Sequence, residues 1–377
     1  MKISGMKILI VGGGFSGMSA AMQLRKGGAA VDLVEIDPGW RVQGAGLTLA
    51  AAALRTFVEL GILDEFLEHG FAAEGGEFFT ASGEKIAALA APPRLARPDV
   101  PPVGAIMRPV LASILAKATK ASGTHVRLGV TIAEIMDHVD GAIATLTDGT
   151  TASYDLVIGA DGLNSSVRRT FFPGAPTPRY TGQGVWRAVL PRPREVENLK
   201  MWIGDRVKVG VNPVSKNEMY MMLTEDRPTN RFVDDSQFLK SLKALLAQFS
   251  APMVKDIRES LNNDSRIVFR PMESILMPLP WWSGHIVLIG DTVHATTPHL
   301  GAGACIGIED AIVLAQELER QDTLAAALKS FESRRWERCR TVVENSLRLG
   351  EIEVTNGDRL EHAEIWRKSA MMLAEPI

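Results

Sequence analysis

The chain has 377 residues, enough for two domains or one large composite one, and 46% of them are hydrophobic, which supports a sizeable core. The formal net charge of −3 implies no large field for nucleic acid or an anionic membrane. Two cysteines, Cys305 and Cys339, make no disulfide framework, no run of about 18 apolar residues marks a membrane span, and the start carries no signal-peptide pattern, so a reducing, cytoplasmic setting is expected.

The first element is the most informative. Residues 7–11 form a short buried-strand run through Ile8, Leu9, Ile10 and Val11. Gly12-x-Gly14-x-x-Gly17 follows at once, then a helical run through Ala20, Ala21 and Leu24 that Gly27-Gly28 ends. A glycine turn between strand and helix directs backbone N–H groups and the positive helix end at one spot, which suits a pyrophosphate. A second strand over 31–35 ends in Glu35, whose carboxylate can accept hydrogen bonds from a ribose 2′-OH. The βαβ unit reads as a dinucleotide site, with a tight glycine turn and no ligand as the alternative. Which dinucleotide it takes is left open.

Residues 40–49 read as a loop of glycine and small residues. One helix is expected over 50–67, where Leu54, Phe57, Val58, Leu60, Ile62, Leu63 and Phe66 recur at helical spacing. Residues 75–88 read as a strand pair about Ser82-Gly83, and 91–102, with five prolines, as a surface loop. Arg108-Pro109 opens a helix. Strands follow over 126–132, 135–139 and 143–146, with Asp148-Gly149 as a hairpin turn. A buried strand over 155–160 runs into Asp161-Gly162.

Consecutive strands over 183–190, 200–203, 207–211 and 218–223 imply an antiparallel sheet. Helices over 238–249 and 254–260 and extended pieces over 266–269 and 274–275 complete this section, the expected substrate-binding part. The opening fold resumes with a strand over 286–289 that ends in Gly290-Asp291. Helices follow from about 304 to 320 and over 323–350, the arginines within 334–340 read as a solvated helix face, and 351–377 is a charged tail with no assigned structure.

Gly159-Ala160-Asp161-Gly162 and Gly290-Asp291 each put a carboxylate at a strand's C-terminal end, the edge where open α/β sheets bind ligands. Three such junctions fit one long dinucleotide. The alternative for each aspartate is capping of the next turn or helix.

With these motifs in order, the chain resembles the single-component FAD-dependent aromatic hydroxylases, flavoprotein monooxygenases of the para-hydroxybenzoate hydroxylase type, nearest their salicylate hydroxylase and 6-hydroxynicotinate monooxygenase branch. The residues that carry the resemblance are Gly12, Gly14 and Gly17 with Glu35, then 155–162 continuing to Ser166-Val167-Arg168, then Trp281 and Gly290-Asp291-x-x-His294 running through Pro298 to Gly301-x-Gly303 and 308–311. The resemblance implies an α/β architecture: a Rossmann-like FAD-binding fold from 1–178 and 266–350, an inserted antiparallel β-sheet substrate domain over 179–265 that part of 75–107 joins, C-terminal helices, and a tail at 351–377.

The resemblance also implies roles. Glu35 would hold the adenosine ribose, with Ile36 beside it, and Val130 would lie near the adenine. Arg41 and Arg108 match positions on the ribose and phosphate side. Phe15 and Ser16 in the glycine turn, and Leu47, join the cofactor set. Asp291 would bind the ribityl or pyrophosphate region and Asp161 would help hold FAD. Pro298, Gly301, Gly303 and Ala304 would pass beside the isoalloxazine, with the following helix aimed at its N1–C2=O edge, where a positive helix end favours the anionic reduced flavin. Cys305 stands where many members carry Asn or a small residue, near the flavin; a small buried packing residue is its plain reading.

No second GxGxxG is present, so the implied reductant, NADH or NADPH, binds transiently and leaves. Reduced flavin would take up O₂, form a C4a-hydroperoxide and hydroxylate an electron-rich aromatic or N-heteroaromatic ring such as a phenolic or hydroxypyridine acid, with water kept out. A base near the ring is needed; His299 is the first candidate and Tyr220 the second, with a loop histidine bonded to backbone as the alternative for His299. Trp186, Trp202 and Met222 join His299 and Tyr220 as candidate substrate contacts. Met222 and Tyr220 share a strand face opposite Met219 and Met221, and which face meets substrate is left open. Arg187 is either a carboxylate clamp or part of a structural ion pair. A small aromatic molecule is the expected partner, with no metal, nucleic acid or membrane segment, in a monomer or homodimer. Another FAD reductase or oxidase on this scaffold, or a non-catalytic binding protein of the same fold, are the rival readings.

Overall fold

The computed structural model describes residues 2–41, 44–90, 97 and 99–377. A six-stranded sheet has the order Trp282–Ser283, Ile286–Leu288, Leu156–Gly159, Lys7–Val11, Ala30–Glu35, His125–Leu128. Only the short Trp282–Ser283 edge strand runs antiparallel to its neighbour. Its central strands are continuous apolar runs, as a sheet covered on both faces requires. Ile8, Leu9, Ile10, Leu156, Val157 and Ile158 share one core cluster with residues of the Phe15–Lys26, Arg108–Ala121 and Gly303–Arg320 helices. The register sets Val11 beside Gly159 and Gly159 beside Leu288. The three glycine–acid junctions after these strands therefore emerge side by side at one sheet edge.

A seven-stranded sheet has the order Ile267–Ser274, Arg179–Pro191, Glu218–Asp226, Val207–Pro213, Leu199–Ile203, Gly75–Thr80, Lys85–Ala90. It is antiparallel except where Leu199–Ile203 lies parallel to Gly75–Thr80. The sheet thus draws strands from either side of the 179–265 span expected for it. The extended pieces over 266–269 and 274–275 are one edge strand, and an edge is where Pro271 does not interrupt a ladder. The Phe238–Leu246 and Pro252–Ser260 helices cover one face in a second core cluster.

Other expectations change. The helix over 50–67 is two, Ala51–Leu60 and Leu63–His69, because Gly61 takes a left-handed φ of 69° and ends the first. The loop over 40–49 contains the strand Gly46–Ala50, paired with Val103–Met107; its one alternation, Leu47-Thr48-Leu49, is short and follows glycine and alanine. The strand over 126–132 stops at Leu128, before Gly129 at φ 72°, and Ile132–His138 is separate. The long helix runs Leu324–Thr355, and the tail is a further helix, Arg359–Ala374, capped by the Asp358 carboxylate. Most of the proline loop over 91–102 lies outside the described residues. Among the described residues no helix is long and apolar enough to cross a membrane.

Candidate cofactor and substrate site

The glycines of the first turn have unequal reasons. A Cβ on Gly12 would stand 2.4 Å from Ala160 O, and one on Gly17 2.0 Å from Gly12 O. One on Gly14 would meet nothing within 4 Å. Gly12 and Gly17 are demanded by packing of the turn, while the space at Gly14 is open. No side chain caps the helix that starts after Gly14, so its first-turn N–H groups are available to an anion.

Glu35 closes this turn. Its Oε2 accepts from Gly13 N at 2.7 Å and its Oε1 from Asp37 N at 2.8 Å, while Trp40 Nε1 donates to Gly13 O at 2.8 Å. Buried Val130 donates its N–H to Glu35 O, and Ile36 is exposed. Arg41 pairs with Asp37 at 3.0 Å at the protein surface. Ser16 has a packing role: a Cβ on Gly290 would lie 2.2 Å, and one on Gly307 2.4 Å, from its Oγ. Its side chain is wedged where the Phe15–Lys26 and Gly303–Arg320 helices cross, which leaves its backbone N–H for a ligand.

Asp161 combines both readings of an acid at a strand end. Its Oδ2 accepts from Ser166 N at 2.7 Å, Ser166 Oγ at 3.0 Å and Val167 N at 3.2 Å, capping the Ser166–Phe171 helix. Its Oδ1 is buried and meets no partner among the described residues, and buried polar atoms of native proteins are met by protein, water or ligand. Arg168 fastens this loop to the next junction, donating to Leu163 O at 2.7 Å and Thr292 O at 2.6 Å. Asp291 is exposed at the start of the Asp291–His294 helix.

That junction is held from beneath by a network the sequence did not reveal. Asp310 Oδ2 accepts from Gly290 N at 2.8 Å and pairs with His294 Nε2 at 2.6 Å, while its Oδ1 accepts from Arg335 Nε at 2.8 Å. Arg335 also pairs with Glu309 at 2.9 Å, and Arg338 with Glu309 at 2.7 Å. Arg335 is fully buried, so the solvated face expected over 334–340 is wrong there. Positions 335 and 338 lie one helical turn apart and face two buried acids, which bury safely only when paired. The available signal was Glu309-Asp310 inside an otherwise apolar helix. Burial pushes the Asp310 carboxyl up, but the His294 and Arg335 charges outweigh it and hold it below its usual range. Burial disfavours the His294 cation, yet Cys339 and Asp310 beside it lift its pKa well above the ordinary value. Burial, then Glu309, push the Cys305 thiol well up, which suits packing rather than reaction.

Arg108 lies over the Phe15 ring at 5.1 Å, and its buried Nε has no acceptor among the described residues. Burial lowers its pKa, partly offset by the charge of Asp291, with Arg187 and Tyr220 the other charged or titratable groups acting on it. Arg187 Nε donates to Tyr220 OH at 3.3 Å. Tyr220 packs against Ala45, Ala105, Met107 and Met222, so closely to Gly46 that a Cβ there would stand 2.5 Å from the ring. Strand alternation puts Arg187, Tyr220 and Met222 on this face and Trp186 and Trp202 on the other. Trp186 packs on Phe238 and Phe269 at 5.5 and 4.6 Å, and Trp202 stacks on Phe79 at 5.4 Å. The structure gathers Arg108, Arg187, Tyr220 and Met222; it sets both tryptophans in the helix-covered core, away from them.

Pro298–Leu300 is a single 3₁₀ turn. His299 Nδ1 is 2.8 Å from Thr297 Oγ1, and Nε2 is 3.3 Å from Glu353 Oε2, with the side chain 1% exposed. Its ring is fitted under Gly350, where a Cβ would be 2.9 Å away. Burial holds its pKa below the ordinary value, Glu353 opposing. These contacts are the buried-loop arrangement of a histidine bonded to its surroundings, through side chains rather than backbone. Gly301 has a left-handed φ of 61° and faces Thr48 O. Leu47 sits beside Thr48 in the Gly46–Ala50 strand. The Gly303–Arg320 helix, with half-buried Ala304 in its first turn, starts without a side-chain cap.

An open Gly14, two uncapped helix starts, an unpaired Asp161 Oδ1 and an unpaired Arg108 Nε are together what a long, anionic, hydroxyl-rich cofactor would meet. The family model described as the FAD binding domain matches residues 5–346, so the chain belongs to that family. The chain is 31% identical over 353 residues to the aurachin C monooxygenase/isomerase of Stigmatella aurantiaca, covering 93% of this chain and 90% of that one. It is 33% identical to the 2-heptyl-3-hydroxy-4(1H)-quinolone synthase of Pseudomonas aeruginosa, covering 82% of this chain and 80% of that one. The fold matches the crystal structure of Klebsiella pneumoniae HpxO complexed with FAD and uric acid, with a TM-score of 0.83 at 24% identity over 97% and 93% of the two chains. The protein is an FAD-dependent aromatic monooxygenase with a Rossmann-like cofactor fold and a separate sheet.

Proposed function

From that membership we propose that the protein uses NADH or NADPH and O₂ to hydroxylate an electron-rich N-heteroaromatic ring that carries an ionisable oxygen. Curated relatives are named for a quinolone and for urate, which share that chemistry. The observation that supports the reading is the meeting of Arg187 and Tyr220 of the seven-stranded sheet with Gly46 and with Arg108, on which Asp291 also acts.

Bound FAD supplies the electron transfer and the activation of oxygen. Gly14, the amides after it, Glu35, Asp161, Asp291 and Arg108 would hold it. Arg187 fixes the Tyr220 hydroxyl, which is then set to bond the ring oxygen. The positive charge of Arg187 favours the deprotonated ring. Met222 and the sheet keep water from the ring.

The test is a screen of purified, yellow protein with NADH and NADPH against 2-alkyl-4-hydroxyquinolines, urate, hydroxypyridine acids and salicylate. Faster NAD(P)H oxidation with a product heavier by one oxygen atom is expected. Stimulation by none of these rings, or oxidation with no oxygenated product, overturns the reading. Arg187→Met is expected to raise KM about tenfold or more through loss of a charged contact, with FAD retained.

A further inference from the structure

Beside Gly301 lies an apolar pocket of ≈ 100 Å³. Thr48 and Gly301 form its wall toward the cofactor site, Leu199 its wall toward the seven-stranded sheet, and Trp366, Ala370 and Leu373 of the C-terminal helix its outer wall. The Thr48 hydroxyl already accepts from Asn212 Nδ2 at 2.9 Å, so it aims no unmet polar atom into the space. Such a lining suits hydrocarbon and gives an ionised group nothing to bond.

The outer wall is fixed rather than casually placed. Arg55 donates to Leu373 O at 2.6 Å, and Arg338 donates to Met372 O at 2.7 Å and Leu373 O at 3.1 Å. Arginines at a helix's last carbonyls satisfy groups that have no partner inside the helix. Arg338 also pairs with Glu309, one helix turn after Cys305. The wall is therefore tied to the helix that begins at the cofactor side.

We propose that this pocket takes a straight alkyl substituent of the heteroaromatic substrate, and that the C-terminal helix sets the chain length accepted; the ring's own placement rests on the reading above. Burial of each methylene corresponds to about fourfold in affinity.

The test uses the oxidised FAD-loaded protein and two probe series read by tryptophan fluorescence: 4-hydroxyquinolines bearing 2-alkyl chains from methyl to nonyl, and ring-free alcohols from butanol to decanol. The Kd is expected to fall by about fourfold per methylene until the pocket is filled, then to level off. Ala370→Phe should cut the heptyl-to-methyl affinity ratio about tenfold and move the plateau to a shorter chain. Ala363→Phe, at an exposed position of the same helix, should leave both series as in the parent. Alcohols that bind with chain-length dependence while no hydroxyquinoline does would retain the pocket and overturn the ring reading. Affinity independent of chain length in both series, or an Ala370→Phe variant with an unaltered ratio, overturns the proposal.

Discussion

At the scale of single residues, three glycines that are identical in a motif answer to different forces. Gly17 has the Gly12 carbonyl where a Cβ would go; Gly14 has only open space. Gly17→Ala should therefore fail to give folded protein. Gly14→Val, at an extended φ of −74° and ψ of −176°, should fold with the parent's apo Tm and elute colourless from gel filtration. A yellow Gly14→Val protein would mean that the space is not used by the cofactor. Asp291→Ala should likewise lose FAD, read by flavin absorbance per chain. His299 makes a pH prediction. Burial holds its folded pKa below the ordinary value, so the unfolded chain binds its proton first as pH falls below about 6.5. Its contribution therefore lowers stability as pH falls from about 6.5 toward its depressed folded value, and is flat above. Lys208, Glu353 and His362 are the charged and titratable groups that face it. The depressed Glu353 carboxyl titrates below its ordinary 4.5, outside that window. Tm of the parent should drop relative to His299→Gln between about pH 6.5 and pH 5; parallel curves would show that burial does not shift the His299 pKa, and a parent Tm that rises relative to the variant would show that His299 is held protonated in the folded protein.

At the scale of elements, the junction at Gly290 depends on helices far along the chain. Arg335→Met leaves Asp310 and Glu309 short of a buried cation, a change expected to cost about 3–5 kcal/mol in urea unfolding. FAD should also dissociate more readily, because Asp310 orders the Gly290 N–H. A loss under about 1 kcal/mol would show that His294 and Arg338 suffice. The same scale shows where sequence reading fails. Gly61 breaks an apolar pattern that is periodic on both sides of it. The strand Gly46–Ala50 has too short an alternation of its own to stand out and is completed by pairing with Val103–Met107. The tail is a helix that packs on the Leu324–Thr355 helix and sets Leu373 into the main core, a tertiary fact that a mostly charged sequence does not announce.

At the scale of the whole molecule, the long helix is the clamp between the two sheets' territories. Glu353 pairs with Lys208, Arg206 Nε donates to Val354 O at 2.7 Å, and Asn356 Nδ2 donates to Asp205 Oδ1 at 2.8 Å. All three reach the Leu199–Ile203 to Val207–Pro213 end of the seven-stranded sheet. A double-mutant cycle of Lys208→Met with Glu353→Gln should return a coupling of about 0.5–3 kcal/mol; additive losses would show that the pair contributes nothing to the clamp.

The sequence by itself determined the glycine turn with Glu35, the acids at Asp161 and Asp291, the run from Pro298 to Gly303 and the existence of a second sheet. These are local: each needs only a strand, a turn and a helix of known period, and the three together carry the family resemblance that implies FAD. What those parts touch was set by packing. Register put the three junctions at one edge, strand parity turned Tyr220, Met222 and Arg187 toward it and both tryptophans away, and buried charge drew Arg335 off the surface. Contacts between residues far apart in the chain have no local period to betray them. They are set by which apolar faces close on one another and by which buried charges those faces must then neutralise.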